Sequence, residues 1–166
     1  SAGSSTTFSL TGGNGVDNLT GDGGNDNITG GGGADNLTGG AGNDTFNVNA
    51  GTDTITDLST GDILVVSSSA TANATNISSF VATSSTTNAG TASLSTQASG
   101  GTINMSSAGG SGAYSLTGGD GVDNLTGDGG NDIITGGDNS DIITGKGGND
   151  NLTGGTGNDK YIYSRL

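Results

Sequence analysis

An aspartate returns every nine residues in two runs, Asp17 to Asp53 and Asp123 to Asp159, and few folds can carry such a rhythm. In that register four nonapeptides begin at Gly12, GGNGVDNLT, GDGGNDNIT, GGGGADNLT and GGAGNDTFN, and a weaker fifth, VNAGTDTIT, keeps Asp53. The second run begins at Gly118 and reads GGDGVDNLT, GDGGNDIIT, GGDNSDIIT, GKGGNDNLT and GGTGNDKYI. All ten copies hold the sixth-position aspartate. A short fixed period makes each copy a unit that buries its apolar side only against its neighbours, so the chain reads as a stack.

Within a copy the last three positions alternate polar, apolar, polar, which on a strand sends the middle side chain to one face and its neighbours to the other. The middle set, Leu19, Ile28, Leu37, Phe46 and Ile55, then Leu125, Ile134, Ile143, Leu152 and Tyr161, is the expected interior. Three-residue strands cannot fold alone, so the pattern predicts stacked coils that join them into parallel sheets over a thin apolar core. The remaining six positions must turn the chain, and glycine at the first, second and fourth permits positive φ and close backbone approach. The expected fold is all-β, a parallel β-roll in two blocks joined by a β-rich Ser/Thr segment.

Composition argues first for a disordered linker, since 36 glycines and a hydrophobic share of 28% fall short of the roughly 45–50% usual in globular chains. The charges argue otherwise. All sixteen acidic residues are aspartate, and a formal net charge of −13 selects cationic partners over nucleic acid or anionic membranes. Without cysteine or histidine there are no disulfides, no usual zinc ligands and no histidine-based triad or general base. A paired-carboxylate glycosidase remains formally open, but evenly spaced aspartates suit a ladder better than one cleft, so no enzyme is expected. No segment reaches the roughly 20 apolar residues of a membrane span, and the N-terminus lacks a charged-then-apolar leader, so an export signal either lies outside this chain or is absent.

Each block is led by a copy that keeps the rhythm but replaces the aspartate, GSSTTFSLT with Phe8 and GGSGAYSLT with Tyr114. These are read as N-terminal capping turns that cover the end of the stack, because an aromatic there cannot bind a metal as a carboxylate does. Ser9–Gly31 and Ser115–Gly137 agree at 21 of 23 positions with an offset of 106 residues, which suggests a parent built as a tandem array. The expected divisions are 3–56, 57–108 and 109–166. In the middle, residues 54–66 read as two strands around a Ser-Thr-Gly-Asp hairpin turn flanked by Asp57 and Asp62. Residues 67–108 read as short strands and loops, with a helical turn as an alternative near Ile77–Phe80.

The donors available at the turns are all oxygens. If two copies make one coil, turns two copies apart stack at about 4.7–4.9 Å, and an ion between them sits roughly 2.4 Å from oxygens on either side, which suits calcium over magnesium. The motif GGxGxDxUx, in ten in-register copies over about 90 of the 166 residues, resembles the RTX (repeats-in-toxin) calcium-binding family. In that family an ion takes first- and third-position carbonyls and the aspartate of one turn, with second- and fourth-position carbonyls and the aspartate two copies later. The resemblance implies six sets. The first is Gly12, Asn14 and Asp17 with Gly31, Gly33 and Asp35; the second is Gly21, Gly23 and Asp26 with Gly40, Gly42 and Asp44. The third is Gly30, Gly32 and Asp35 with Asn49, Gly51 and Asp53. In the second block they are Gly118, Asp120 and Asp123 with Gly137, Asn139 and Asp141; Gly127, Gly129 and Asp132 with Lys146, Gly148 and Asp150; and Gly136, Asp138 and Asp141 with Gly155, Gly157 and Asp159. Asn49, Asn139 and Lys146 depart from the glycine pattern. About six calcium ions would bring the charge close to neutrality, and the blocks are expected to order only when calcium binds.

Outward Asn and Thr positions such as Asn18/Thr20 and Asn124/Thr126 spell glycosylation sequons, but the repeat generates them automatically and strand propensity explains the threonines. Threonine ladders of this kind also resemble ice-binding solenoid surfaces. Asp22 and Asp128, at second positions, are expected to offer a carbonyl at most. RTX chains include surface-layer proteins, secreted enzymes and toxins, and adhesins, so the resemblance leaves three classes open. The tandem offset favours a structural calcium-binding module of a bacterial secreted or cell-surface protein. Its expected partners are calcium and neighbouring modules or self-association, without nucleic acid or membrane insertion. The family also implies type I export, and the ending YIYSRL stands where another module could continue.

Overall fold

The computed structural model describes residues 6–163; the start of the first leading copy, at Gly3, and the last three residues of YIYSRL lie outside the described residues. The first block forms β1 (Ser9–Thr11), β2 (Asn18–Thr20), β3 (Asn27–Thr29), β4 (Asn36–Thr38), β5 (Thr45–Val48) and β6 (Gly51–Ile55). The middle forms β7 (Ile63–Val66), β8 (Ala70–Ile77), β9 (Ser79–Val81), β10 (Thr87–Asn88), β11 (Thr91–Thr96) and β12 (Thr102–Asn104). The second block forms β13 (Gly109–Gly110), β14 (Tyr114–Thr117), β15 (Asn124–Thr126), β16 (Ile133–Asp138), β17 (Ile142–Thr144), β18 (Asn151–Thr156) and β19 (Lys160–Ile162). Every pairing between these strands is parallel, and no helix occurs among the described residues. The chain is a parallel β-solenoid, as the nonapeptide rhythm predicts.

In the blocks two copies make one coil, so paired residues stand 18 apart, as in Leu19 opposite Leu37 and Leu125 opposite Ile143. Successive copies therefore fall on alternate sides. Three sheets result: β1-β3-β5-β7-β10-β13, β2-β4-β6-β8-β11-β14-β16-β18, and β9-β12-β15-β17-β19. The second of these, with eight strands, runs through both blocks and the middle without a break.

The middle segment is a different cross-section of the same solenoid. Its coils lengthen to 22 residues, with Thr87 opposite Gly109, Ala92 opposite Tyr114 and Thr102 opposite Asn124, and the added residues supply a third side. The roll is two-sided, becomes three-sided where all three sheets coexist, and returns to two sides after the first sheet ends at β13. Residues 54–66 are accordingly not a hairpin. β6 pairs with β4 and β8, whereas β7 pairs with β5 and β10, because the solenoid carries each strand onto its predecessor one coil earlier. Ile77 and Phe80, the alternative helical turn, lie on β8 and β9 either side of a bend at Ser78, and Asn76, near the end of β8, takes a φ of 60°.

Ile28, Leu37, Phe46, Ile55, Leu125, Ile134 and Ile143 are fully buried, as the alternation predicts. Leu19 and Leu152 are only partly covered, and Tyr161 keeps 37% of its surface exposed, because each belongs to a coil with a neighbour on one side. The middle continues the core with Leu64, Ala72, Ala74, Phe80, Leu94, Ile103 and Met105. Tyr114 does not cover a stack end. It is 1% exposed on a strand held between β11 and β16, so the second leading copy is mid-stack.

Asn88 is an inner corner of the three-sided part that the sequence did not mark. It is fully buried; its amide nitrogen donates to the carbonyl of Ala113 at 2.9 Å and its oxygen accepts the amide of Gly90 at 3.0 Å. Asn88→Ala would leave a buried donor and acceptor unpaired, at a cost of about 1–3 kcal/mol. Thermal unfolding in calcium should show a clear fall in Tm; an unchanged Tm would remove Asn88 from this role.

Candidate metal centre

The turns lie where consecutive coils stack, and their backbones approach too closely for side chains. A Cβ on Gly31 would collide with the carbonyl of Gly13 and stand 2.9 Å from the carbonyl of Gly12, while one on Gly33 would collide with that of Gly15. The same holds for Gly40 on Asp22, Gly42 on Gly24, Gly51 on Gly33, Gly137 on Gly119, Gly148 on Gly130, Gly155 on Gly137 and Gly157 on Asn139. Beyond the opening turns most second and fourth positions are also left-handed, for example Gly31 at φ 101° and Gly33 at 142°. First-position glycines need no positive φ. They are small because a Cβ there would strike the next coil's carbonyl, as at Gly12, Gly21 and Gly118, or the turn's own carboxylate, as at Gly127 and Gly136.

Along each side the aspartates form a hydrogen-bonded ladder. The amide of Asp17 donates to Oδ1 of Asp35 at 2.9 Å, and that of Asp35 to Asp53 at 3.1 Å. On the opposite side Asp26 donates to Asp44 at 2.8 Å. In the second block Asp123 donates to Asp141, Asp132 to Asp150 and Asp141 to Asp159 at 2.9–3.1 Å. All six expected carboxylate pairs are thus brought onto adjacent coils. Phe8 and Tyr114 donate their amides to Asp26 and Asp132 in the same way, so the leading copies enter the ladder through backbone alone.

The second carboxylate oxygen separates two kinds of turn. In the opening turns Oδ2 of Asp17, Asp26, Asp123 and Asp132 accepts the amide of the second-position residue at 2.7–3.2 Å. Beyond them, Oδ2 of Asp35, Asp53 and Asp141 is buried with no hydrogen-bond partner. Two of these bare oxygens converge: a Cβ at Gly30 would lie 2.5 Å from Oδ2 of Asp53 and 2.7 Å from Oδ2 of Asp35. Buried, unpartnered carboxylate oxygens call for a cation or a proton. Among the described residues no three carboxylates converge on one point, so carbonyl oxygens must complete any ion's shell, a mixture that suits a hard divalent ion such as calcium. The donors present fit calcium.

Burial pushes the Asp53 carboxyl up from 3.8 to about 6, with the charge of Asp35 adding to it and the amide of Asp35 opposing it. Burial likewise raises Asp132 to about 6, helped by Asp128 and Asp150 and opposed by the amides it accepts. Asp44 and Asp141 are also raised, first by burial and then, against their backbone hydrogen bonds, by neighbouring aspartates.

The three departures from glycine behave differently. Asn139 and Lys146 take the left-handed conformation their positions demand, at φ 72° and 77°. The Asn139 amide donates to the carbonyl of Asp120, so one oxygen of the fourth expected set is engaged by a side chain. Lys146 is exposed and lines an open cleft with Asp150, Leu152, Ile162 and Tyr163. Asn49 sits in the set that holds the converging Asp35 and Asp53, and its side-chain oxygen accepts the amide of Gly31 at 3.2 Å.

Asp62, read from the sequence as a turn residue, continues the ladder. It is buried, its Oδ1 accepts the amide of Asp44 at 2.9 Å, and its Oδ2 accepts the Ser59 amide and hydroxyl at 2.8 and 3.1 Å. The signal was present in the sequence, since Asp62 lies nine residues after Asp53, but its turn lacks the glycines. Asp57 receives the amides of Gly39 and Gly40 at 2.9 and 2.8 Å and so closes the turn above it. Asp128 offers more than a carbonyl, because its carboxylate is buried and accepts the amide of Gly130 at 2.8 Å.

Stacked turns that set paired carboxylates and carbonyls between adjacent coils define a metal-binding β-roll. The family model for the RTX calcium-binding nonapeptide repeat matches residues 11–46, 20–55, 108–134, 117–152 and 135–163, together more than half of the chain. The chain belongs to that family of calcium-binding repeats, which supports calcium as the ion. No curated protein matches it.

The raised carboxyls fix the sign of the pH response. With folded values near 6 for Asp53 and Asp132 against an ordinary 3.8, the fold without metal takes up protons between about pH 4 and 6, so its stability falls as pH rises through that window. Calcium requires the ionised form and must displace those protons. Far-UV circular dichroism of the calcium-free chain should therefore show more β-sheet near pH 4 than at pH 7.5, because protons take the place of cations on the ladder. A calcium-free spectrum that gains no sheet as the pH falls would contradict the arrangement.

Proposed function

We propose that this chain is a calcium-binding structural module of a bacterial extracellular or cell-surface protein, surface-layer-like in organisation, which orders and stiffens when calcium binds. The observation that carries the reading is the convergence of the buried, unpartnered Oδ2 atoms of Asp35 and Asp53 within one continuous stack. With a formal net charge of −13 and so thin a core, repulsion along the ladder opposes folding until cations neutralise it. RTX repeats occur in secreted bacterial proteins, and the fold is a structural one rather than a catalytic scaffold. The 106-residue internal offset supports an array over the accessory block of a type I-secreted enzyme or toxin, which needs only one run of repeats.

Removal of calcium by excess chelator should abolish the β-sheet signal in far-UV circular dichroism, and readdition should restore it. A spectrum that ignores the chelator would end the proposal that calcium drives folding.

The sharing of ligands gives a finer test. Six sets use Asp35 twice, once with Asp17 and once with Asp53, whereas Asp17 serves one set. Native mass spectrometry should therefore count about six ions on the parent protein, two fewer on Asp35→Asn and one fewer on Asp17→Asn. Equal losses from the two variants would refute the assignment of shared ligands.

A further inference from the structure

The chain contains the same face twice, once covered and once open. Ser9–Gly31 and Ser115–Gly137 are nearly identical, so Phe8, Leu10, Asp17 and Leu19 correspond to Tyr114, Leu116, Asp123 and Leu125. Phe8 is 39% exposed, and Leu10, Asp17 and Leu19 are only partly buried; their counterparts are all at 1% or less. What covers the counterparts is the middle segment. Ala92 and Leu94 of β11 stand opposite Tyr114 and Leu116, Ile103 of β12 stands opposite Leu125, and the amide of Gly101 donates to Oδ1 of Asp123 at 2.7 Å. No carboxylate is supplied from that side, so the contact needs no ion. It uses the aromatic body alone, because the hydroxyl of Tyr114 is buried without a partner and phenylalanine serves equally.

The opposite end tells the same story. Leu152 and Tyr161, partly exposed, correspond to Phe46 and Ile55, which are fully buried under Leu64 of β7 and Ala74 of β8. Each end thus exposes the face that, elsewhere in the chain, one side of the middle segment covers.

We propose that the N-terminal face formed by Phe8, Leu10, Asp17 and Leu19 is a docking surface for a further three-sided segment like residues 57–108, so that copies of the module join in one unbroken solenoid. This rests on the reading of the chain as a repeated structural module and names the surface and the partner by which it would repeat. The partner is another copy's middle segment, recognised by a small residue opposite the aromatic, apolar residues opposite the leucines, and a free amide at the corner facing Asp17.

The test is the full chain extended by a second copy of residues 57–108 joined directly ahead of Gly3, studied in excess calcium by hydrogen exchange and mass spectrometry. Amide exchange in residues 8–20 should slow by about tenfold or more, to the rate of residues 114–126 in the same molecule. The extension with Ala92→Asp in the added copy, which places a charge against Phe8, should lose that protection. Exchange in residues 8–20 that stays at the rate of the unextended chain, or that slows equally with the Ala92→Asp extension, overturns the proposal. Failure of the calcium reading would appear separately, as exchange in residues 26–55 and 132–152 that does not respond to calcium.

Discussion

Carboxylates stacked one coil apart repel one another, and the whole architecture is arranged around that repulsion. At a separation near the strand spacing the repulsion amounts to a few kcal/mol per pair in a partly buried setting. Except at Asp17, one oxygen of each ladder aspartate is compensated by a backbone amide from the preceding coil, which also locks the register of the turns. The other is compensated locally in the opening turns, where the second-position amide reaches it, and at Asp62, where Ser59 does. Further along, left-handed second positions such as Gly31 and Gly137 accompany bare oxygens on Asp35 and Asp141. The same glycines that let turns stack thus leave oxygens for a cation to bind.

The middle segment solves a different problem. A two-sided roll has a core one side chain thick, and it must begin and end somewhere. Coils of 22 residues open a third side, enclose larger residues such as Phe80, Met105 and Tyr114, and allow one outer sheet to stop while another starts. Because the sheet of β2 to β18 never breaks, the two aspartate runs belong to one rod. Stability in the middle comes from apolar burial and hydrogen-bonded corners such as Asn88, and in the blocks from the oxygen ladders.

Much of this was legible in the nonapeptides. Their alternation gave the strands and the interior residues from Ile28 to Ile143, and the sixth-position aspartates gave the paired carboxylates. The errors fall where the repeat loses its composition. Asp62 kept the spacing but not the glycines, so it read as a turn residue, and residues 54–66 read as a local hairpin because alternation says nothing about which strand a segment pairs with. Tyr114 read as a cap because its turn lacks a carboxylate, although its neighbour β11 lies in a stretch with no nonapeptide at all.

The sequence by itself determined the conformational freedom of each turn, the donors it offers and the period with which it returns, since these depend on steric and chemical properties of residues within one copy. Only the tertiary structure decided that the middle segment is a three-sided continuation of the same stack, that Asp62 joins the ladder and that Asp35 and Asp53 leave oxygens facing one point. Those outcomes depend on which coil lies on which, and that is fixed by contacts between residues 18 to 22 positions apart, where no local preference acts.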